Sequence, residues 1–204
     1  MNDALNESIK ASMQQGRVAM SYKRLRETDS FFNLSKLGQQ QLPQALQRRQ
    51  GNRQPRLRIT RNDQAAGRPV VARIVKIPIS NLHIFNPGNN YDCRISINLE
   101  VNLDRPDLDL EALITHDKDT EVDREKNRIA YGHLAYSIDL TQVKRQGLEP
   151  SHELELEVDS NVLREQMALS KEGKESAFGD VVSGFLDNAT FLMRERPQQP
   201  PFKS

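Results

Sequence analysis

The sequence predicts an α+β protein built on an antiparallel β-barrel with flanking helices, and three observations predict it. Several stretches alternate apolar with charged or polar residues at a period of two, the pattern of strands with one face turned to a core and one face polar. Two of these stretches carry rows of opposite charge: Glu153, Glu155 and Glu157 in one, Arg124, Lys126 and Arg128 in the other. After Asp159 the apolar spacing changes to that of a helix. A charged face cannot be the core of an ordinary sandwich. A barrel wide enough to hold polar contents removes the conflict, with apolar residues turned out to the helices and charged residues lining the lumen.

The acidic stretch runs from His152 to Val158. Leu154, Leu156 and Val158 point one way, and the glutamates point the other at intervals of about 7 Å. Three like charges in a row repel unless cations sit among them. By itself this pattern describes a half-exposed strand with solvated glutamates. Beside the basic row of Arg124 to Arg128 it suggests facing walls of one charged interior, suited to a polyanion held together with a metal.

Taken in order, Asp3 to Gln14 reads as a short helix with Leu5, Ile9 and Met13 on one stripe, ended by Gly16. Ser21 to Arg26 alternates basic and other residues, and Phe31 to Leu34 is the first strongly apolar patch. From Leu37 to Pro55 the composition shifts to Gln, Arg, Gly and Pro, which predicts a loop or linker (37–55). Arg56 to Arg61 alternates as a strand, with Arg56, Arg58 and Thr60 on one face, where a guarded edge strand is at least as good a reading as a phosphate contact. A polar turn from Asn62 to Gly67 leads into Val70 to Ile77, forming a hairpin that Pro78 and the Asn81 region interrupt before Leu82 to Phe85. The Asn86–Asn90 stretch is a dense turn signal. Tyr91 to Leu103 is the longest strand candidate, with Arg94, Ser96, Asn98 and Glu100 on its polar face.

A loop rich in Pro and Asp covers Asp104 to Asp119. Arg124 to Tyr131 is the basic strand, Gly132-His133 its turn, and Ala135 to Val143 the return strand with Asp139 and Thr141 on one face. Gly147 and Pro150 mark the turn into the glutamate strand. Two helices follow, one through Val162, Leu163, Met167 and Leu169 and one through Val181, Phe185, Leu186, Phe191 and Leu192. One domain spans residues 1–193, and 194–204, rich in Pro, reads as a disordered tail.

Composition narrows the function. Lys and Arg total 29 against 28 Asp and Glu, so the formal net charge is +1 and any strong field must come from local patterning. The single Cys93 excludes an intramolecular disulfide and a zinc site of several cysteines. The start of the chain has no secretory h-region, and no apolar run approaches a membrane span, so the expectation is a soluble intracellular protein with no membrane partner. His83, His116, His133 and His152 lack metal-ligand spacing. Neither a phosphate-binding glycine loop nor a nucleophile constellation is present.

Four blocks then occur in order: Tyr91–Glu100, Arg124–Arg128, Ile138–Val143 and Glu153–Glu157. Together they resemble the fungal RNA 5'-triphosphatase, the beta subunit of the mRNA-capping enzyme and a triphosphate tunnel metalloenzyme, over about Leu5 to Leu192. The resemblance implies an eight-stranded antiparallel tunnel that removes the γ-phosphate from the 5'-triphosphate end of nascent mRNA with Mg2+ or Mn2+. It implies that Glu157, with Glu155, is a metal ligand and that Glu153, Glu155 and Arg128 are catalytic. It assigns phosphate binding to Arg94, Arg124, Lys126 and Arg128, and tunnel-lining positions to Glu100, Asp139 and Thr141. It implies 5'-triphosphate RNA and the mRNA guanylyltransferase (the capping enzyme alpha subunit) as partners, a homodimer, and the nucleus.

The sequence departs from that family in two places. The family's amino-terminal strand of alternating glutamates has no counterpart in residues 1 to 55, so the tunnel is expected to be incomplete, in a truncated form of the domain that hydrolyses triphosphate poorly. Ser137 also stands where a basic residue is expected. The competing readings are a non-catalytic module that binds RNA or the guanylyltransferase, and a tunnel enzyme acting on nucleotides or polyphosphate.

Overall fold

The computed structural model describes residues 20–44, 55–88, 91–115 and 122–194. Its elements are β1 (Ser21–Asn33), α1 (Lys36–Gln40), β2 (Arg56–Asn62), β3 (Val70–Ile84), β4 (Cys93–Asn102), α2 (Leu110–Leu113), β5 (Arg124–His133), β6 (Tyr136–Lys144), β7 (Ser151–Val158), α3 (Ser160–Lys171) and α4 (Phe178–Arg194). The seven strands form one sheet in the order β4-β3-β2-β1-β5-β6-β7, and every neighbouring pair is antiparallel. The sheet curls until its two ends, β3–β4 and β7, line opposite sides of one cleft. The result is a half-barrel.

Alternation sorts the side chains between the two faces. On the convex face Leu57, Ile59 and Val75 are buried with Leu34, Leu42, Leu103 and Leu113, and Phe32, Ile77 and Val101 pack against them. Each such aliphatic side chain contributes about 1.5–3 kcal/mol by leaving water. Helices α1 and α2 supply the lid of this core. Ser35 caps α1, its hydroxyl accepting from the Gly38 amide at 3.1 Å and donating to the Ala112 carbonyl at 2.6 Å.

The hairpins follow their turn chemistry. Between β2 and β3, Gly67 and Arg68 take positive φ (75° and 48°), and Arg68 is tied to Asp63 at 2.7 Å and to the Thr28 hydroxyl at 3.0 Å. Between β5 and β6, Leu134 takes φ 52°. At the carboxyl end Asp159 caps α3 by accepting from the Asn161 amide at 2.8 Å. Helix α4 docks on β6, where the Tyr136 hydroxyl donates to the Val181 carbonyl at 2.9 Å.

Several elements differ from the sequence reading. The longest strand is β3, not the Tyr91–Leu103 segment, because Pro78 is absorbed at a register shift between Pro78 and Ser80 instead of ending the run. β1 was not expected as a strand, since both of its faces carry charge. Strand β2 is no edge: it lies between β3 and β1. The β5–β6 turn falls at Leu134-Ala135, so Gly132 and His133 belong to β5. Lys36 to Gln40 is helical where a loop was expected to begin, because Leu34 and Leu42 anchor both of its ends in the core. Leu110 to Leu113 is a short helix within the expected Asp104–Asp119 loop. The Asp3–Gln14 helix, the expected tail beyond Arg194 and most of the 37–55 linker lie outside the described residues.

Candidate functional site

The concave face is built from cross-strand rows. Arg128 on β5 stands opposite Thr141 on β6, which stands opposite Glu153 on β7. One step along, Ala130, Asp139 and Glu155 form a row, and beyond it Gly132, Ser137 and Glu157. In the other direction Lys126 is opposite Glu27 on β1, and Arg124 is opposite Asp29, which is itself opposite Thr60 on β2. Directly opposed residues share a face, so the acidic row and the basic row lie on the same side of the sheet.

The charges are interleaved. Arg124 Nη2 donates to Glu153 Oε1 at 2.8 Å, and Arg128 Nη1 lies 2.9 Å from Asp139 Oδ2. Lys126 Nζ lies 2.8 Å from Asp29 Oδ2 and 3.8 Å from Glu27 Oε2. The Thr60 hydroxyl donates to Asp29 Oδ1 at 2.7 Å. Each cation of the basic row thus has a carboxylate from another strand, Lys126 from the adjacent β1, Arg128 from the adjacent β6, and Arg124 from β7 one strand further on.

Across the curl, β3 and β4 present Lys76, Asn98, Ser96 and Arg94 toward β7. Together with Glu153, Glu155 and Glu157 they line a cleft of about 750 Å³. Phe185, Ala189, Leu192 and Met193 of α4 close one side of it. Glu100 Oε1 is 3.7 Å from Lys76 Nζ, its cross-strand neighbour, so that expected lining residue is already paired.

Two carboxyls are held above their ordinary range. For Asp139 burial is the main cause, opposed by Arg128 and reinforced by Glu155 and Glu27. Glu157 is open to solvent at the sheet's edge yet crowded on its protein side. That loss of solvation raises it first, and repulsion from Glu155 and Asp139 adds to the effect. Its cross-strand neighbour is the neutral Ser137, so no base lies directly opposite. Around Asp139, Glu155 and Glu157 negative charge outweighs positive, and a bound cation would relieve the excess.

The donor set fits a hard cation in kind and only partly in number. Among the described residues no three Asp, Glu, His or Cys side chains converge closely enough to hold a metal. Mg2+, however, is commonly bound through one or two carboxylates, several waters and substrate phosphates, and Glu155 and Glu157 meet that smaller demand.

Sequence reasoning left one part of the site undecided and missed another. Arg58 stands opposite Phe31 on β1, on the concave face, and its buried Nε has no hydrogen-bond partner among the described residues. The Nε atoms of Arg124 and Arg128 and the Thr141 hydroxyl are in the same condition. Asp29 and Glu27, which hold Lys126, were not singled out either. The alternation of Leu25, Glu27, Asp29 and Phe31 was a signal for them, but Arg26, Thr28 and Ser30 at the intervening positions are all polar and masked it.

Comparisons with known proteins bear on the family and the fold. Residues 1–198 match the family model described as mRNA capping enzyme, beta chain. The chain is 30% identical over 191 residues to the mRNA-capping enzyme subunit beta of Candida albicans, covering 91% of this chain and 34% of that protein. It is 26% identical over 200 residues to the subunit of the same name from Schizosaccharomyces pombe, covering 96% of this chain and 58% of that one. The chain therefore spans about a third to three-fifths of the length of these relatives. Its fold matches the solved structure of the S. pombe Pct1 RNA triphosphatase in complex with the Spt5 CTD, with a TM-score of 0.73 and 26% identity over 96% of this chain and 67% of that one.

Proposed function

The chain belongs to the family of the mRNA capping enzyme beta chain, and from that premise we propose that it acts on the 5'-triphosphate end of nascent mRNA, removing the γ-phosphate in cap formation. The observation that supports this most is the ladder of opposed charges on one concave face, Arg128–Thr141–Glu153 beside Ala130–Asp139–Glu155. A polyphosphate needs cations placed along it and carboxylates where a metal can join them. That face offers both.

In this reading Arg124, Lys126 and Arg128 bind phosphate oxygens, Arg94 reaches in from β4, and Arg58 is added to the set. The buried Nε groups of Arg58, Arg124 and Arg128, without a hydrogen-bond partner among the described residues, are donors that phosphate oxygens would satisfy. Arg128 neutralises charge on the transferred group. Glu153 holds Arg124 in place, and Glu155 orients the attacking water. Phosphoryl transfer of this kind depends on positioning and electrostatics more than on a covalent nucleophile.

Glu155 and Glu157 would hold Mg2+ or Mn2+, which when bound supplies charge neutralisation and fixes the phosphate. Two carboxylates hold such an ion weakly without substrate, so the 204-residue chain is expected to turn over slowly. A nuclear site of action, the guanylyltransferase as partner and assembly as a homodimer belong to the same proposal.

Phosphate release from triphosphate-ended RNA in the presence of Mn2+ tests it. Metal-dependent release that is lost in both Glu155→Gln and Arg128→Ala supports the reading. RNA binding indifferent to metal and to Glu157→Ala, with no phosphate released, would establish a non-catalytic binding module instead.

A further inference from the structure

On β1 two adjacent phenylalanines part company. Phe32 packs against the convex core with Leu34 and Leu57, whereas Phe31 points to the concave face opposite Arg58. The Arg56 guanidinium lies over the Phe31 ring, 5.8 Å from its centroid. Phe31 is only partly buried and Arg56 is exposed, so the pair is open at its surface.

Its position along the face matters. Moving along β1, the concave residues are Leu25 opposite Arg128, Glu27 opposite Lys126, Asp29 opposite Arg124, then Phe31 opposite Arg58 and Asn33 opposite Arg56. The basic rows therefore run into an aromatic ring capped by an arginine. Phe31 lies two such steps beyond the Lys126 row, about 14 Å along the strand. A triphosphate laid along the cations with its γ-phosphate toward Glu155 and Glu157 would place its nucleoside at the Phe31 end of the row.

We propose that Phe31 and Arg56 form a stacking platform for the base of the 5'-terminal nucleotide, whether it belongs to RNA or to a free nucleoside triphosphate. The proposal rests on the concave face being a triphosphate site. An aromatic face and a guanidinium plane are the two surfaces on which proteins stack unpaired bases. Stacking tolerates every base, so the platform adds affinity for the nucleoside without choosing among the four.

The test measures binding by the whole chain of three ligands: triphosphate-ended RNA, ATP and tripolyphosphate. Phe31→Leu is expected to weaken RNA and ATP about tenfold and to leave tripolyphosphate unchanged. Phe31→Tyr, which keeps the ring, is expected to bind all three like the unaltered chain, and Arg56→Gln to weaken RNA and ATP about threefold. An equal loss of all three ligands in Phe31→Leu, no loss of RNA or ATP, or a loss of RNA alone would each overturn the platform. Failure of the unaltered chain to bind tripolyphosphate would instead overturn the triphosphate reading beneath it, and the platform with it.

Discussion

The Lys126 ammonium lies 2.8 Å from the Asp29 carboxylate, and solvent reaches only 6% and 1% of the two side chains. Such a pair costs desolvation on both sides and holds only while both charges and their hydrogen bonds are in place. Thr60 supplies one of those bonds, and Glu27, at 3.8 Å, a second counter-charge. Asp29→Asn would leave Lys126 with the more distant partner alone. We expect a loss of about 3 kcal/mol, a fall of roughly 6–12 °C in Tm for a chain of this size, measured by circular dichroism melting. Glu27→Gln should cost clearly less.

The raised carboxyls predict a pH dependence whose sign is opposite to that of a salt-bridged acid. Asp139 and Glu157 bind their protons more tightly in the folded chain than in the unfolded one. Their contribution to stability is complete below the ordinary carboxylate range and is lost as pH rises through their raised folded values. Glu157→Gln removes one of these groups. Followed upward from pH 4, the urea midpoint of the variant should therefore rise relative to that of the parent.

Ser137 is the directly opposed neighbour of Glu157. Placing a guanidinium there would set a positive charge across from a carboxyl now raised by lost solvation, Glu155 and Asp139. In Ser137→Arg the Glu157 carboxyl should titrate lower than in the parent, moving toward its ordinary range. Carboxyl carbon shifts followed by NMR against pH would report it, and an unchanged Glu157 titration would show that the arginine points elsewhere.

How legible the fold was depended on whether a strand's two faces differ. β7 and β5 carry one kind of charge on one face, so Glu153 to Glu157 and Arg124 to Arg128 were readable; that Asp139 and Thr141 share their face was implied only by the family resemblance, and the cross-strand register shows it. β1 carries Arg24 and Arg26 outward and Glu27 and Asp29 inward, so neither face looks like a core and no strand was evident. Arg58 was left between a guarded edge and a phosphate contact because an isolated alternating strand resembles an edge; only the pairing of β2 with both β1 and β3 shows it to be interior. The α1 segment was hidden by its Gln-rich composition, because its anchors Leu34 and Leu42 lie just outside the helix.

Gly38 tests that last point. A Cβ at this position would lie 2.3 Å from the Leu113 carbonyl oxygen and 2.9 Å from Leu34 Cδ2. The first is backbone and cannot rotate away, so α1 must shift from α2 to make room. Ala is the better helix former, yet Gly38→Ala should destabilise the chain by about 1–3 kcal/mol, read as a lowered urea midpoint. A neutral or stabilising result would mean that α1 does not pack against Leu113 as closely as described.

Divalent metal should stabilise this chain through the carboxylates that its own strands supply. Asp139, Glu155 and Glu157 form a locally negative group, and an ion that binds only the folded chain raises its stability by linkage. At ten times the dissociation constant the gain is about 1.4 kcal/mol, roughly 3–6 °C in Tm. Protons compete for the same oxygens, so the shift should grow as pH rises through the raised carboxyl values and vanish in acid. The measurement is a melting series in Mn2+ at several pH values. Glu155→Gln and Glu157→Gln should each reduce the Mn2+ shift, while Glu100→Gln, whose carboxylate is paired with Lys76, should leave it intact. A shift that persists in the double variant Glu155→Gln/Glu157→Gln would place the ion elsewhere in the protein.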